Sequence, residues 1–165
     1  MVTKKPFFEV VSNHREETFN YGKRLANILK EGDVVALYGE LGSGKTVFVQ
    51  GICAGLDVQD VVTSPSFTLI QEYQGRLPVF HLDFYRLTSV HEVEDLDVLN
   101  YWESGGISLV EWADRGEALL PEGKIAVALD RISENGQITP EKRLIRFGGC
   151  FKRQLMDLNC DCPGH

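Results

Sequence analysis

Residues 33–46 read Asp-Val-Val-Ala-Leu-Tyr-Gly-Glu-Leu-Gly-Ser-Gly-Lys-Thr, and no other stretch constrains the fold as tightly. The apolar run Val34 to Tyr38 predicts a buried strand. It breaks at Gly39 into a glycine-rich turn ending Gly44-Lys45-Thr46, and a helical pattern from Lys45 to Ala54 follows, closed by Gly55. A G-x-x-x-x-G-K-[ST] turn between a strand and a helix is the Walker A context. Glycines let the backbone curl so that successive N–H groups point at phosphate oxygens, and the helix adds its positive N-terminal end. The segment Gly39, Glu40, Leu41, Gly42, Ser43, Gly44, Lys45 and Thr46 is therefore expected to hold nucleotide phosphates. Lys45 would reach the outer phosphates, and the Thr46 hydroxyl would sit on a magnesium ion.

The remaining chain fits one α/β domain of the P-loop NTPase type: a mixed sheet with an antiparallel portion, flanked by helices. Its 165 residues suffice for one core without staples. A net charge of −7 argues against unaided, non-specific binding to nucleic acid. No apolar run approaches the ~20 residues of a membrane-spanning helix, and no signal-peptide core follows the N-terminus, so a cytoplasmic protein is expected. Cys53 reads as core filler. Cys150, Cys160, Cys162 and His165 lack the paired C-x-x-C spacing of a zinc site, and residues 149–165 are expected to form a frayed tail, with at most a short helix near Lys152–Leu158, after a domain spanning 1–148.

Asn13 to Lys30 predicts an amphipathic helix with Phe19, Gly22, Leu25, Ala26 and Leu29 on one face, Asn13 and Glu16 at its start and Gly32 as its stop. Phe67 to Tyr73 and Leu77 to Tyr85 predict a hairpin around Gln74-Gly75, with His81, Asp83 and Tyr85 sharing a face. Ser89-Val90-His91-Glu92 has the capping-box spelling and opens a short helix through Val93 and Leu96. Ile107 to Glu111 is a further strand, Ala113 to Leu120 a short helix stopped by Pro121. Lys124–Ile132 and Arg143–Phe147 form a last pair across Glu134-Asn135-Gly136.

Phosphate binding alone does not make a catalyst. The ion needs a second ligand, usually an acid ending an apolar strand, and the attacking nucleophile needs alignment. Asp83 and Glu111 each end such a strand. A guanine-reading Asn-Lys-x-Asp element is absent, which leaves ATP as the default nucleotide. No arginine-rich lid is visible to close over an acceptor, which weighs against a small-molecule kinase; a nucleotide-gated binding module without required hydrolysis is the other alternative.

Four segments stand in a telling order: Gly39 to Thr46, then Ser64-Pro65-Ser66-Phe67-Thr68, then His81-Leu82-Asp83-Phe84-Tyr85-Arg86-Leu87, then Leu109-Val110-Glu111-Trp112. Together they resemble the bacterial TsaE (YjeE/YdiB) ATPases over roughly residues 8–148, with Ser66 where the family usually has threonine and Glu40 where it has aspartate. The resemblance implies slow ATP hydrolysis in the service of tRNA threonylcarbamoyladenosine (t6A) synthesis, acting on a TsaB–TsaD heterodimer, with tRNA contacted indirectly if at all. By the same resemblance Thr46 and Glu111 would hold magnesium, and Asp83 would join Lys45 and Glu111 as a catalytic residue. Trp112 would be functional, Ser64, Pro65, Ser66 and Thr68 would form a switch-like loop, and Thr18 would lie near the adenine.

Overall fold

The computed structural model describes residues 8–149. A seven-stranded sheet runs in the order β1-β7-β6-β2-β5-β4-β3, built from β1 (Phe8–Ser12), β2 (Val34–Tyr38), β3 (Ile70–Gln74), β4 (Pro78–Asp83), β5 (Ile107–Glu111), β6 (Ile125–Glu134) and β7 (Gln137–Gly149). The Walker A strand β2 stands fourth of seven. It pairs in parallel with β5 and β6, and β5 pairs in parallel with β4. Antiparallel pairs close both sides, β3 on β4 at one edge and β7 and β1 beyond β6 at the other. The expected antiparallel portion is thus present twice.

Every residue of β2 and β5 is buried, the mark of parallel strands covered on both faces. Helices α1 (Arg15–Ala26) and α2 (Lys45–Gly55) cover one face. Leu25, Ala26, Phe48, Val49 and Ile52 pack there against Val35, Leu37, Leu109 and Val127. Each fully buried large side chain contributes roughly 1.5–3 kcal/mol. The two helices touch through glycine: a Cβ on Gly51 would lie 2.0 Å from the Phe19 carbonyl oxygen, so only glycine permits the approach. On the other face, Leu82, Phe84, Val93, Val98 and Leu120 pack against Val34, Ala36 and Val110.

Several boundaries differ from the sequence expectation. Helix α1 begins at Arg15 after His14, not at Asn13, and Glu17, rather than Glu16, reaches back to the Asn13 amide at 2.7 Å. It ends at Ala26; Gly32 instead takes φ +83° in the turn leading into β2. Phe67 and Leu69 fall outside β3: Phe67 is 82% exposed and Leu69 adopts φ +68°. The hairpin itself forms around Gln74-Gly75, with Tyr73 opposite Val79. The capping box at Ser89 and Glu92 is present and opens α3 (Val90–Glu94), which stops short of Leu96, and after Asp97 at φ +57° a further helix that was not foreseen follows, α4 (Val98–Glu103). Ala113–Leu119 is a 3-10 helix. Strand β7 starts at Gln137, six residues before the expected Arg143, because the polar arm past the sheet keeps pairing up to the Asn135-Gly136 turn. Strand β1 was not foreseen, since Phe-Glu-Val-Val-Ser alternates poorly. The cysteine tail, its suggested helix and its weighed metal site lie outside the described residues.

Candidate functional site

Strand β2 delivers the chain to Gly39 at the C-terminal end of the parallel strands, the edge where open α/β sheets bind ligands. Gly42 (φ +76°) and Gly44 (φ +102°) then take left-handed backbone that other residues adopt only at a cost. The missing side chain at Gly42 also matters, because a Cβ there would sit 2.1 Å from the Arg131 guanidinium. Lys45 opens α2 with only 5% of its surface exposed. Its ammonium donates to the carbonyls of Gly39 (2.6 Å) and Glu40 (2.8 Å) and to Ser43 Oγ (3.3 Å), and lies 4.2 Å from the centre of the Trp112 ring. Burial pulls the Lys45 pKa below its ordinary value, against the opposing pull of Glu111, Asp83, Asp114 and Glu40. This cation is partly stripped of water and spends its donors on neutral oxygens. An arriving anion would stabilise it.

The outer side of the loop is held from the far edge of the sheet. Arg143 on β7 donates to the carbonyls of Ser43 (2.8 Å) and Gly42 (3.2 Å), and Arg131 on β6 to those of Leu41 (3.1 Å) and Gly42 (3.3 Å). These bonds engage the carbonyls of Leu41, Gly42 and Ser43, while the Ser43 amide is turned back onto the Glu40 carbonyl at 3.1 Å. Burial and the neighbouring Arg131 charge lower the Arg143 pKa.

Strands β4 and β5 end together, with Asp83 directly opposite Glu111. Both acids are buried, on the face covered by α2. Thr46 in the first turn of α2 donates its hydroxyl to Glu111 Oε1 at 2.8 Å, and the His81 ring meets Glu111 Oε2 at 2.9 Å. Asp83 accepts from Ser64 Oγ at 2.6 Å and from the Tyr85 amide at 2.8 Å. Trp112, directly after Glu111, is forced to φ +55°, strain on the order of 1–3 kcal/mol for a bulky residue, and rests against Tyr85 at 4.9 Å.

These groups surround a cavity of about 620 Å³. Its wall carries four basic side chains (Arg15, Lys45, Arg86 and Arg143) against three acidic ones, in a chain of net charge −7. Leu41 to Thr46, Thr18, Ser64, Ser66, Asp83, Glu111 and Trp112 all line it. Gly39 and Glu40 contribute only the carbonyls that hold Lys45. Pro65 is buried and Thr68 points to solvent, and neither lines the cavity. The Thr18 hydroxyl pairs with Ser12 Oγ at 2.7 Å. Among the described residues no three His, Cys, Asp or Glu side chains converge on a metal position. The donor set suits magnesium nonetheless, because that ion takes one or two protein oxygens and completes its shell with water and phosphate. Thr46 and Glu111 supply such a pair.

A family model for the threonylcarbamoyl adenosine biosynthesis protein TsaE matches residues 12–141, which include every element just described except most of β1 and most of β7, Arg143 among the latter. The chain belongs to the TsaE family. It is 38% identical over 130 residues to the tRNA threonylcarbamoyladenosine biosynthesis protein TsaE of Treponema pallidum, a match covering 78% of this chain and 96% of that one. With the protein of the same name from Bacillus subtilis it shares 41% over 121 residues, 73% of this chain and 75% of the other. The crystal structure of the B. subtilis protein YdiB superposes with a TM-score of 0.74 at 31% identity, covering 93% of this chain and 94% of that one. The TsaE family assignment and the P-loop NTPase-type fold therefore agree with the order of motifs in the sequence.

Sequence reading missed several participants, Arg15 and Arg86 on the cavity wall among them. Arg131 and Arg143 reach the Walker A turn from about 90 to 100 residues away, a distance no local pattern spans. His81 was placed on the face of Asp83, but its bond to Glu111 on the next strand depends on sheet order.

Proposed function

We propose that this chain is an ATP-binding, slowly ATP-hydrolysing component of the t6A modification machinery, acting on a TsaB–TsaD complex. The observation that carries the reading is the convergence of Lys45, Thr46, Glu111 and Asp83 on one cationic cavity. Family membership supports the pathway.

In this reading backbone amides of the Gly39–Thr46 turn and the Lys45 ammonium bind the phosphate chain, which replaces the neutral oxygens that Lys45 now holds. Thr46 and Glu111 would hold magnesium, which would neutralise charge developing on the outer phosphates. Asp83, two strands from β2 and tethered by Ser64, aligns the attacking water once that tether opens. Catalysis here is positioning and charge stabilisation, so turnover depends on the loop at Ser64 to Thr68 leaving Asp83. A partner that moves this loop would set the rate.

The test is hydrolysis of ATP by the full chain alone and with TsaB–TsaD, alongside t6A formation. Lys45→Ala and Glu111→Ala are expected to abolish both. Intact modification by either variant contradicts the reading, and so does repeated modification with an ATP analogue that cannot be cleaved. Transfer of phosphate to a small acceptor in place of water would make the protein a kinase.

A further inference from the structure

His81 has no role in the scheme above, yet it is completely buried and touches the one acid placed beside Thr46. The β4–β5 register sets it opposite Leu109, two residues before Glu111, so the Glu111 carboxylate lies diagonally across from the ring. The two carboxylate oxygens are divided: Oε1 accepts from Thr46 and Oε2 meets His81 Nε2. A carboxylate only accepts, so Nε2 carries the proton. The other ring nitrogen, Nδ1, is buried with no partner among the described residues.

That one-sided bonding is informative. An aliphatic side chain would fill the same space against Tyr73, whose ring centre lies 6.5 Å away, without leaving a polar nitrogen unpaired. What it could not do is hold Oε2. We infer that His81 is a positioning residue for Glu111: its Nε2–H pins one oxygen so that the other faces Thr46 and the ion proposed between them. It touches neither nucleotide nor the reacting atoms. With the donor removed, Glu111 rotates between rotamers and offers either oxygen, and the geometry that magnesium demands is lost. The inference rests on the proposed reading of the cavity.

The experiment uses the full chain with Mn2+ in place of Mg2+, in the presence of ADP, and reads free Mn2+ by electron paramagnetic resonance. ADP affinity is measured separately in EDTA, and melting curves check that each variant folds. His81→Leu is expected to weaken Mn2+ binding by roughly tenfold or more, as loss of an orienting partner does at metal sites, while ADP affinity in EDTA stays unchanged. His81→Gln, whose amide reaches the Nε2 position, is expected to restore binding to within about threefold of the wild type. His81→Asn, one methylene shorter, is expected to fail like His81→Leu. Wild-type Mn2+ affinity in His81→Leu overturns the inference, as does a His81→Gln variant no better than His81→Asn; that pair decides the matter if His81→Leu does not fold. A wild-type chain that binds ADP but no Mn2+ overturns the metal reading itself.

Discussion

The two walls of the cavity are built differently. On the Walker A side, Lys45, Arg131 and Arg143 hold the turn through seven hydrogen bonds to carbonyl or hydroxyl oxygens. Behind it stands α2, locked onto α1 by a glycine contact. Opposite, residues 61–69 run along the surface, with Val62 in the core and Pro65 buried but Val61, Phe67 and Thr68 exposed. Gln50 holds the Val62 carbonyl at 2.8 Å, and the Asp83 amide holds the Leu69 carbonyl at 2.9 Å. Between those anchors the side-chain tie to the active-site acids is Ser64 on Asp83, while Val61 is 86% and Phe67 82% exposed, the latter capped by Arg86 at 4.0 Å. Among the described residues Ser64 makes the segment's one side-chain bond to Asp83, and most of residues 61–69 are not buried, so the middle of the segment can open at low cost. In the proposed reading, one wall is preformed to bind and the other would report what has been bound.

Breaking the fixed wall should have the largest effect. Lys45→Met is expected to lower ATP turnover by roughly 10²–10³, the usual loss when a charge clamp is removed. Its stability is expected to stay level or rise, because burial disfavours the Lys45 charge. The sign follows from the lowered folded pKa: the unfolded lysine binds the proton more tightly. Wild-type stability therefore gains as alkaline pH approaches the ordinary value of 10.5, and Lys45→Met lacks that gain. Thermal melts of both proteins across that range check it.

Arg143→Ala loosens the same wall without touching its lysine. Two carbonyls lose a charged donor, and KM for ATP is expected to rise roughly tenfold, with kcat changed less, since one charge-assisted hydrogen bond contributes about 1.5–3 kcal/mol. Steady-state kinetics separate the two constants. An unchanged KM would mean that the turn keeps its shape unaided.

On the movable wall, Ser64→Ala cuts the tether. Hydrolysis by the isolated protein is expected to increase severalfold, and the stimulation by TsaB–TsaD to shrink, because Asp83 is then already released. Slower hydrolysis would assign Ser64 a direct part in the reaction. The smallest effect on the isolated chain belongs to Phe67→Ala. Stability is expected to move by less than about 0.5 kcal/mol and basal hydrolysis not at all, as for an exposed side chain, while partner stimulation falls. A large drop in Tm would place Phe67 in the core of the loop instead.

The same contrast governs what could be read from the sequence. The Walker A turn was legible because its function is spelled by adjacent residues: glycines at the positive-φ positions, lysine and threonine at the helix start. Asp83 and Glu111 were legible as ends of apolar strands, and they do lie side by side in register. Contacts set by sheet order were not. The return of β7 beside β6 was legible from the Asn135-Gly136 turn, but nothing near Arg143 announces that its side chain reaches Ser43, and no pattern marks the left-handed Asp97 that stands before α4. The 61–69 segment was read partly as strand because Phe67 and Leu69 alternate, but alternation cannot tell a buried face from an aromatic left on the surface.

Hydrogen–deuterium exchange of the full chain, followed at residues 39–46 and 61–69, tests the division of labour between the walls most directly. Samples are compared without nucleotide, with ADP and Mg2+, and with a non-cleavable ATP analogue and Mg2+. The expected result is protection of 39–46 by both nucleotides and a change at 61–69 with the triphosphate analogue alone. Exchange at 61–69 that is the same in all three states, with 39–46 protected, would contradict a loop that senses the outer phosphate.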